Sequence, residues 1–357
     1  MKRLLIGLSF VICHLSISPA GAQTQVSSYS PGVTPDGATF FLPKTAIRVT
    51  VLAEKTTYTP GEYAAYAQRY LRLNNVSSQA SVTHRVIKVS QMAVGIADTT
   101  KAFSVKFNPK TAATNVQLAE DGTLLAVNGQ ADEQVLPDRF LPTPKASLPD
   151  PHQFQSQDIL AAGSMAKMAE LTAEEIYDLR ENRNLLIKGQ ADFMPHDGQQ
   201  MKLMLDQLDV QDRALTSMFA GTTVCDTTEY VFYVCPTGTV VDHILFRFSR
   251  YYGLVDVTDL SGAPYVMSIT DLNTIEKTNQ TVKKRKAENG LYYNVPGRMR
   301  SVISHGLTIV SQEEMPAAQF GNVELLVGDL FNKHYATRLW LDPVTGAISR
   351  LEAEQPK

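Results

Sequence analysis

The stretch FFLPKTAIRVTVLA, Phe40 to Ala53, decides the fold class. Its apolar residues Ile47, Val49 and Val51 alternate with polar ones, a period of two that is typical of a β-strand with one buried face. Similar runs recur along the chain, separated by turn-rich segments such as Glu120–Thr123. Further strands are predicted at Val82–Val89, Ala102–Phe107, Asn115–Leu118, Leu124–Val127, Val240–Phe248, Tyr265–Ile269, Gly290–Val295, Met299–Ile303, Leu307–Val310, Val323–Val327, Tyr335–Leu341 and, after a turn at Asp342–Gly346, Ala347–Leu351.

Three other segments carry helix signals. Thr59–Glu62 forms a Thr-x-x-Glu capping box with proline at the first helical position, which predicts a helix running to about Leu73. A second capping box, Thr172–Glu175, predicts the start of a helix that ends near Gly189, because glycine suits the left-handed position after a helix. A third helix is predicted over Gly198–Phe219, where apolar residues recur at helical spacing.

The order of these elements predicts an α+β protein with mainly antiparallel β-sheet units and a helical segment between them. Residues 137–151 contain five prolines, so they are predicted to be a linker without regular structure. The predicted units are a signal peptide at 1–22, an extended lead-in at 23–39, an N-terminal β-rich unit with one helix at 40–136, a proline-rich linker at 137–157, a helical segment at 158–220 and a C-terminal β-rich unit at 221–357.

The first 22 residues have the pattern of a secretory signal peptide. Lys2–Arg3 forms a basic start, Leu4–Ile17 is mostly apolar, and Ala20–Ala22 supplies small residues for cleavage after Ala22. The alternative, a membrane anchor, would need about 20 apolar residues, and lipidation of Cys13 would need small residues before it. We therefore expect a periplasmic or secreted protein with no transmembrane segment after cleavage.

The charge of the chain excludes a generic nucleic-acid binder. The formal net charge is −3, and it becomes −5 without residues 1–22, which carry two positive charges and no negative one. Proteins that bind nucleic acid in general carry a clustered basic excess. We therefore expect no nucleic-acid partner.

Two cysteines, Cys225 and Cys235, remain after the leader is removed. Two cysteines in an exported chain are a natural disulfide pair, which here would close a short loop around a β-rich run. A zinc or redox pair is the alternative, but the sequence has no Cys-x-x-Cys motif and no histidine nearby. The sequence therefore predicts a disulfide between Cys225 and Cys235.

The common catalytic motifs are absent from the sequence. It contains no His-Glu-x-x-His, no Gly-x-Ser-x-Gly and no phosphate-binding glycine loop, and its seven histidines are scattered. We therefore expect no catalytic residue, no metal and no cofactor. Paired carboxylates are harder to dismiss, because a glycosidase needs only two. Asp206, Asp209 and Asp212 recur on the third predicted helix, where a solvated face is the favoured interpretation.

Four tyrosines mark a candidate binding surface. Tyr63, Tyr66 and Tyr70 share one face of the first predicted helix, and Tyr58 precedes it. Tyrosines suit half-wet contacts with sugars or peptides, because each ring is apolar and carries a polar tip. Packing of the helix against a sheet is the competing interpretation, and the spacing favours it. Tyr251–Tyr252 is a weaker candidate, because neighbouring residues on a strand point to opposite faces.

Six phrases of the sequence are long enough to be specific: Phe40–Ala46, Glu54–Gly61, Leu171–Arg180, Gly189–Met194, Gly221–Thr228 and Leu291–Gly297. Together they resemble a secreted bacterial family of unknown function, DUF4831. The resemblance runs from about Gln23 to near the C-terminus. It implies export in Bacteroidetes-type Gram-negative bacteria and a single conserved architecture, and it brings no catalytic or ligand residue with it.

The implied lineage adds one expectation about modification. Asp98-Thr99-Thr100 and Asp226-Thr227-Thr228 resemble the short acceptor motif for O-glycosylation of proteins exported by such bacteria. Thr99 lies in a predicted loop and is the better acceptor, whereas Thr227 lies between the two cysteines. A plain surface threonine is the competing interpretation for both.

Two functions from different classes remain open. The first is a non-enzymatic binding or accessory module for an envelope glycan, another envelope polymer or a protein, and it predicts a shallow groove or a flat patch rather than a deep acidic cleft. The second is a periplasmic hydrolase of glycan or peptide with dispersed carboxylates. It predicts two acids that converge in a cleft, one of them with a raised pKa.

Overall fold

The alternating stretch at Phe40–Ala53 lies within a 22-residue strand, Ala38–Thr59. The computed structural model describes residues 25–28, 38–106, 115–143, 148–195, 197–277, 290–327 and 336–354, so the predicted signal peptide lies outside the described residues. The strands are β1 Gln25–Ser28, β2 Ala38–Thr59, β3 Ser81–Lys106, β4 Val116–Leu118, β5 Leu124–Val127, β6 Thr222–Val234, β7 Val240–Ser249, β8 Gly253–Val255, β9 Ala263–Asp271, β10 Gly290–His305, β11 Thr308–Val327, β12 Ala336–Leu341 and β13 Ile348–Glu354. The helices are α1 Ala67–Leu71, α2 Gln157–Leu160, α3 Met165–Lys188 and α4 Gly198–Ala220, with 3-10 turns at Ala64–Tyr66 and Pro151–Phe154.

The strands form three antiparallel sheets, which confirms the predicted α+β class. The first sheet has the order β1-β3-β2-β6, the second β11-β10-β9-β7-β8 and the third β13-β12-β5-β4. Two of these sheets join strands from distant parts of the chain: β2 pairs with β6, and β5 pairs with β12. The predicted N-terminal and C-terminal β-rich units therefore share sheets.

Each region has its own hydrophobic core in the described part of the chain. Between the first two sheets, Ile47 and Val49 of β2 pack with Phe246 of β7 and Met267 of β9. A second core joins the start of β2 to the third sheet. A third core holds α1 against the hairpin of α3 and α4. Long-range pairing of strands thus fixes where the helices dock. No described helix has both the length and the hydropathy needed to cross a bilayer.

The first predicted helix is mostly wrong. β2 continues to Thr59, which pairs with Thr222 of β6, so the capping box at Thr59–Glu62 does not start a helix. A turn follows instead, and Tyr63 N donates a 2.7 Å hydrogen bond to Met218 O at the end of α4. The helix α1 begins only at Ala67 and has five residues. Cross-strand pairing with β6 has overridden a local capping signal.

The second helix begins earlier than the sequence predicts. Ser164 caps α3 by accepting a hydrogen bond from Lys167 N, eight residues before Thr172. Thr172 is buried in mid-helix, and its hydroxyl donates to Met168 O four residues back. The predicted end is confirmed, because Gly189 has φ of 70° and closes the helix. The third predicted helix, now α4, is also confirmed.

Several pairs of predicted strands are single long strands. Val82–Val89 and Ala102–Phe107 were separated in the prediction, but the described chain forms one strand, β3, of 26 residues. A bulge interrupts its pairing with β2, because Pro43 faces Ala97 whereas Phe41 faces Ala102. The four residues in between therefore lie opposite a single residue of β2. β10 and β11 are likewise continuous across bulges.

The predicted disulfide is not formed. Cys225 lies within β6, and Cys235 directly follows the last residue of that strand. Ten residues of extended chain span about 33 Å, whereas the Cα atoms of a disulfide lie less than about 7 Å apart. Cys225 Sγ instead lies 3.7 Å from Thr56 Oγ1 on β2. The β-rich run between the cysteines thus holds them apart.

Candidate functional site

The predicted tyrosine surface is largely used for packing. Tyr63 is fully buried against Phe219, with 5.3 Å between the ring centroids, and its Oη accepts a 3.0 Å hydrogen bond from Gln155 Nε2. Tyr58 Oη lies 2.8 Å from Ser77 O and 3.0 Å from Ala220 O at the end of α4, and its single proton is donated to one of these two carbonyl oxygens. The two rings hold the helical layer to the end of β2; Tyr63 is fully buried and Tyr58 is half-buried.

Tyr66 and Tyr70 are half-buried at the edge of the same core. Their ring centroids are 6.1 Å apart, and both rings pack against the helical core. Tyr177 of α3 donates a 2.9 Å hydrogen bond to the carbonyl oxygen of Tyr70. The geometry therefore supports the packing interpretation for the predicted helix face.

The aspartates of α4 pair the two long helices. Asp209 Oδ1 lies 2.7 Å from Arg183 Nε, and Asp212 Oδ1 lies 3.0 Å from Arg180 Nη2. Both arginines belong to α3. These two carboxylates therefore act as cross-links between helices rather than as a catalytic pair.

A small half-open cleft lies between the first and the third sheets. It has a volume of about 190 Å³ and is formed by four segments that are distant in sequence. They are residues 94–95 of β3, the β4–β5 hairpin, residues 133–136 just before the predicted linker and Pro343 in the β12–β13 turn.

Two side chains build the wall of this cleft on the outer edge of β3. Gln134 Oε1 accepts from Gly95 N at 3.0 Å, and Gln134 Nε2 donates to Ala93 O at 3.0 Å. Asp121 Oδ2 accepts from Ala97 N at 2.9 Å. These side chains satisfy edge groups that a further strand would otherwise pair. The segment that precedes the predicted linker is therefore anchored to the first sheet at Gln134.

The backbone comes very close together at Gly95. A β-carbon at this position would lie 2.0 Å from Pro343 O and 2.8 Å from Val344 Cα, both of which are backbone atoms. Only glycine lets the β12–β13 turn approach β3 this closely. The position of the cleft wall at Pro343 thus depends on the absence of a side chain at Gly95.

The cleft is rich in carboxylates. Glu120, Asp121 and Glu133 line it, and in the described part of the chain none of them forms an ion pair with a lysine, arginine or histidine. Thr123 also lines it; this residue is 3% exposed, and its Oγ1 is buried without a hydrogen-bond partner. Leaving a buried hydroxyl unpaired costs about 1–3 kcal/mol. The cleft therefore combines uncompensated negative charge with an unused polar atom.

Among the described residues, the carboxyl groups whose pKa is clearly shifted have a lowered pKa. Hydrogen bonds from neighbouring side-chain and backbone donors lower the pKa of Asp150, Asp256 and Asp259. For Asp271, partial burial acts upward, but hydrogen bonds from Lys277 and the backbone outweigh it and lower the pKa. A general acid needs the opposite shift. These four groups therefore do not supply the acid that the hydrolase hypothesis requires.

A polar clip joins the turn after β2 to the Pro151–Phe154 segment. His152 Nδ1 lies 2.8 Å from Asp150 Oδ1, and its Nε2 lies 3.2 Å from Glu62 Oε1. The hydrogen bond with Asp150 is the main cause of a raised pKa of His152, and the charge of Glu62 adds to it. All three side chains are about half exposed. We assign the clip a role in holding the segment in place.

Sequence reasoning missed a second exposed surface. The β7–β8 turn, the β8–β9 loop and the β10–β11 turn all lie at one end of the second sheet. They expose Tyr251, Tyr252, Leu260 and Leu307. Tyr251 and Tyr252 lie in a turn, 66% and 72% exposed, so their rings do not alternate between opposite faces of a strand as the sequence predicts. The sequence signal for this surface is the pair of aromatic residues directly before Gly253, since glycine is typical of a turn.

The two candidate glycosylation sites both lie in strands. Thr99 is exposed in the bulge of β3, not in a loop, and Asp98 Oδ1 beside it accepts hydrogen bonds from Thr100 N and Oγ1. Thr227 is half-buried in β6, where it faces Glu54.

A family model described as a domain of unknown function, DUF4831, matches residues 36–349. The chain belongs to this family. The DUF4831 match runs from the residues before β2 into β13, and it includes every segment that lines the cleft. No curated protein and no solved structure matches the chain.

Proposed function

We propose that this DUF4831 protein is a non-enzymatic binding or accessory module of the cell envelope. The leader-like residues 1–22 support export to the periplasm or beyond. The resemblance noted from the sequence supports a Bacteroidetes-type Gram-negative host. The partner is an envelope polymer or a protein. Envelope location and binding are proposals that rest on these sequence features and on the geometry of the cleft.

The cleft between the first and the third sheets carries the proposal. It is shallow, its wall residues Gln134 and Asp121 are committed to backbone hydrogen bonds, and its rim is charged. A site that recognises a partner needs fixed walls and a few polar groups, and this cleft has both. A hydrolase would instead need an acid and a base held at a defined separation on either side of a bond.

Site-specific photocross-linking in the native host tests the proposal. A photoreactive amino acid replaces Leu136, which lines the cleft and is 43% exposed. The control position is Leu203 on α4, which is 62% exposed and lies outside the cleft. A third position, Leu307, samples the exposed end of the second sheet. We expect a reproducible adduct at Leu136 that is absent at Leu203.

The outcomes separate the possible partners. A protein adduct at Leu136 makes the chain an accessory component of an assembly, and a glycan adduct makes it a polymer-binding module. Adducts at Leu307 alone would overturn the assignment to the cleft. Turnover of the captured polymer by the purified chain would replace the binding proposal with the hydrolase alternative, and the Glu120→Gln and Glu133→Gln variants would then identify the acids.

Two proposals about processing accompany the function. We infer cleavage after Ala22, so N-terminal sequencing of the exported protein is expected to begin at Gln23. We also infer O-glycosylation at Thr99, supported by its exposure in the β3 bulge. The intact mass is expected to exceed that of the bare mature chain, and Thr99→Val but not Thr227→Val is expected to remove most of the difference. A mass equal to that of the bare mature chain contradicts the glycosylation.

A further inference from the structure

The cleft is small, negatively charged at its rim and apolar along part of its walls. We propose that it binds the side chain of a lysine or arginine presented by an extended segment of a protein partner. This inference rests on the proposed binding function and names the chemistry of the partner. Charge, wall chemistry, size and the buried hydroxyl group each support it.

The charge of the cleft favours a cation. Glu120 and Glu133 are exposed at its rim, and Asp121 lies between them and the β3 edge. Since no basic side chain in the described residues forms an ion pair with these acids, their field acts on whatever enters the cleft. Clefts lined by one sign of charge concentrate ligands of the other sign.

The walls distinguish an organic cation from a metal ion. Val94, Leu125, Leu136 and Pro343 line the cleft beside the acids. Lysine and arginine bury an aliphatic stem along such surfaces and keep the charged head beside polar groups. Among the described residues, no three His, Cys, Asp or Glu side chains come together as a metal site. A side chain with an apolar stem and a cationic head therefore matches the cleft better than a bare ion does.

The volume limits the size of the ligand. Small-molecule sites typically enclose about 300–1,000 Å³, and this cleft encloses about 190 Å³. That space suits one long side chain, with the rest of the partner lying outside. The mouth is half-open, so an extended chain can pass across it.

Thr123 adds a specific acceptor. Thr123 is one of the residues that line the cleft, and its buried Oγ1 has no hydrogen-bond partner. Lysine and arginine carry only donors on their charged heads. A donor that reaches this oxygen would remove the cost of the unpaired hydroxyl group, whereas an apolar side chain of the same length would not.

Binding of short peptides to the purified full chain tests this inference. The probes are acetyl-Gly-Xaa-Gly amides in which Xaa is lysine, arginine, norleucine or citrulline, and binding is followed by calorimetry or by NMR shifts. The last two residues keep the shape of the first two without the charge. We expect the charged peptides to bind about tenfold more tightly than their neutral counterparts, or better. We expect added salt to lower the affinity of the charged peptides.

A matched pair of variants locates the site. The double variant Glu120→Gln, Glu133→Gln removes two rim charges, and the double variant Glu174→Gln, Glu181→Gln removes two exposed charges from α3. Only the first is expected to abolish the preference for charged peptides. All four residues are exposed, so both variants are expected to fold normally.

Equal affinity for lysine and norleucine peptides would overturn the inference, and so would equal loss in the two double variants. Either result, combined with a cross-linked adduct at Leu136 in cells, would leave the binding function in place and refute only the cationic ligand. Tighter binding of the charged peptides, without any adduct at Leu136 in cells, would support the cationic ligand and refute the proposed binding function in the cell.

Discussion

Replacement of Asn294 tests how the three sheets are held together. This side chain is fully buried, and its Nδ2 donates to Pro43 O at 2.8 Å and to Thr345 O at 2.7 Å. Its backbone N donates to Gly346 O at 3.0 Å. Because Pro43 belongs to β2, Asn294 to β10 and Thr345 to the β12–β13 turn, a single amide joins one strand or turn from each sheet.

The Asn294→Ala variant leaves two buried carbonyl oxygens without their donor. The substitution also removes Asn294 Oδ1, which is itself buried without a hydrogen-bond partner. At about 1–3 kcal/mol for each unpaired group, two groups lose their donor and one unpaired group disappears, so the free energy of unfolding is expected to fall by about 1–3 kcal/mol. This is a large share of the roughly 5–15 kcal/mol that stabilises a typical domain. Chemical denaturation followed by circular dichroism measures the loss. The control Asn182→Ala lies on the exposed face of α3 and is expected to change stability by less than about 1 kcal/mol.

A second substitution at the same position separates hydrogen bonding from packing. Asn294→Asp keeps the shape, but a carboxylate would face the oxygens of Pro43 and Thr345. Burial raises the pKa of such a group above its unfolded value of about 3.9. The variant is therefore expected to lose stability as the pH rises above about 4. A loss below about 1 kcal/mol in Asn294→Ala at neutral pH would refute the clamp.

Three further predictions follow from local geometry. Gly95→Ala places a β-carbon 2.0 Å from a turn carbonyl and is expected to destabilise the fold by about 3 kcal/mol or more; Gly163→Ala, with open space around it, is the control in denaturant unfolding. The raised pKa of His152 stabilises the folded state below about pH 6.5, and this stabilisation is lost as the pH rises through the folded-state pKa. His152→Gln is expected to remove that pH dependence, and an unchanged profile contradicts the clip. Reductant is expected to leave the unfolding midpoint of the wild type unchanged, and the Cys225→Ser, Cys235→Ser double variant is the control that cannot form the bridge. A shift of the midpoint in the wild type alone would indicate a disulfide.

Local sequence patterns predicted strands well where the partner strand did not matter. The alternation around Ile47 and Val49 identifies β2, and both residues lie in the core between the first two sheets. The end of β2 could not be predicted in the same way. Thr59 carries a good capping signal, but its pairing partner Thr222 is far away in sequence, and that pairing prevails.

The cysteine prediction failed for a related reason. The count and the expected compartment of Cys225 and Cys235 suggest a bridge, but the intervening residues form one uninterrupted strand against β2. The β-branched and aromatic residues between them already favour extended chain. Given more weight, that propensity would have argued against a short loop.

The cleft lies beyond local sequence reasoning. Its walls come from four separate segments, which contain Gly95, Asp121, Gln134 and Pro343. No sequence motif links these segments. The signals are weak in isolation: a glycine in a strand, an aspartate in a turn and a glutamine just before the predicted linker. Only the sheet topology brings them together.

The pairing of β5 with β12 also determines when the third sheet can form during synthesis of the chain. Val127 lies opposite Leu339, so the third sheet cannot close until the ribosome has delivered more than two hundred further residues. Contacts between such distant residues pay a large loop-closure entropy and form slowly. The cleft needs the turn at Pro343 and is therefore completed among the last features. A chain that stops short of this turn would expose β5 and would lack the cleft.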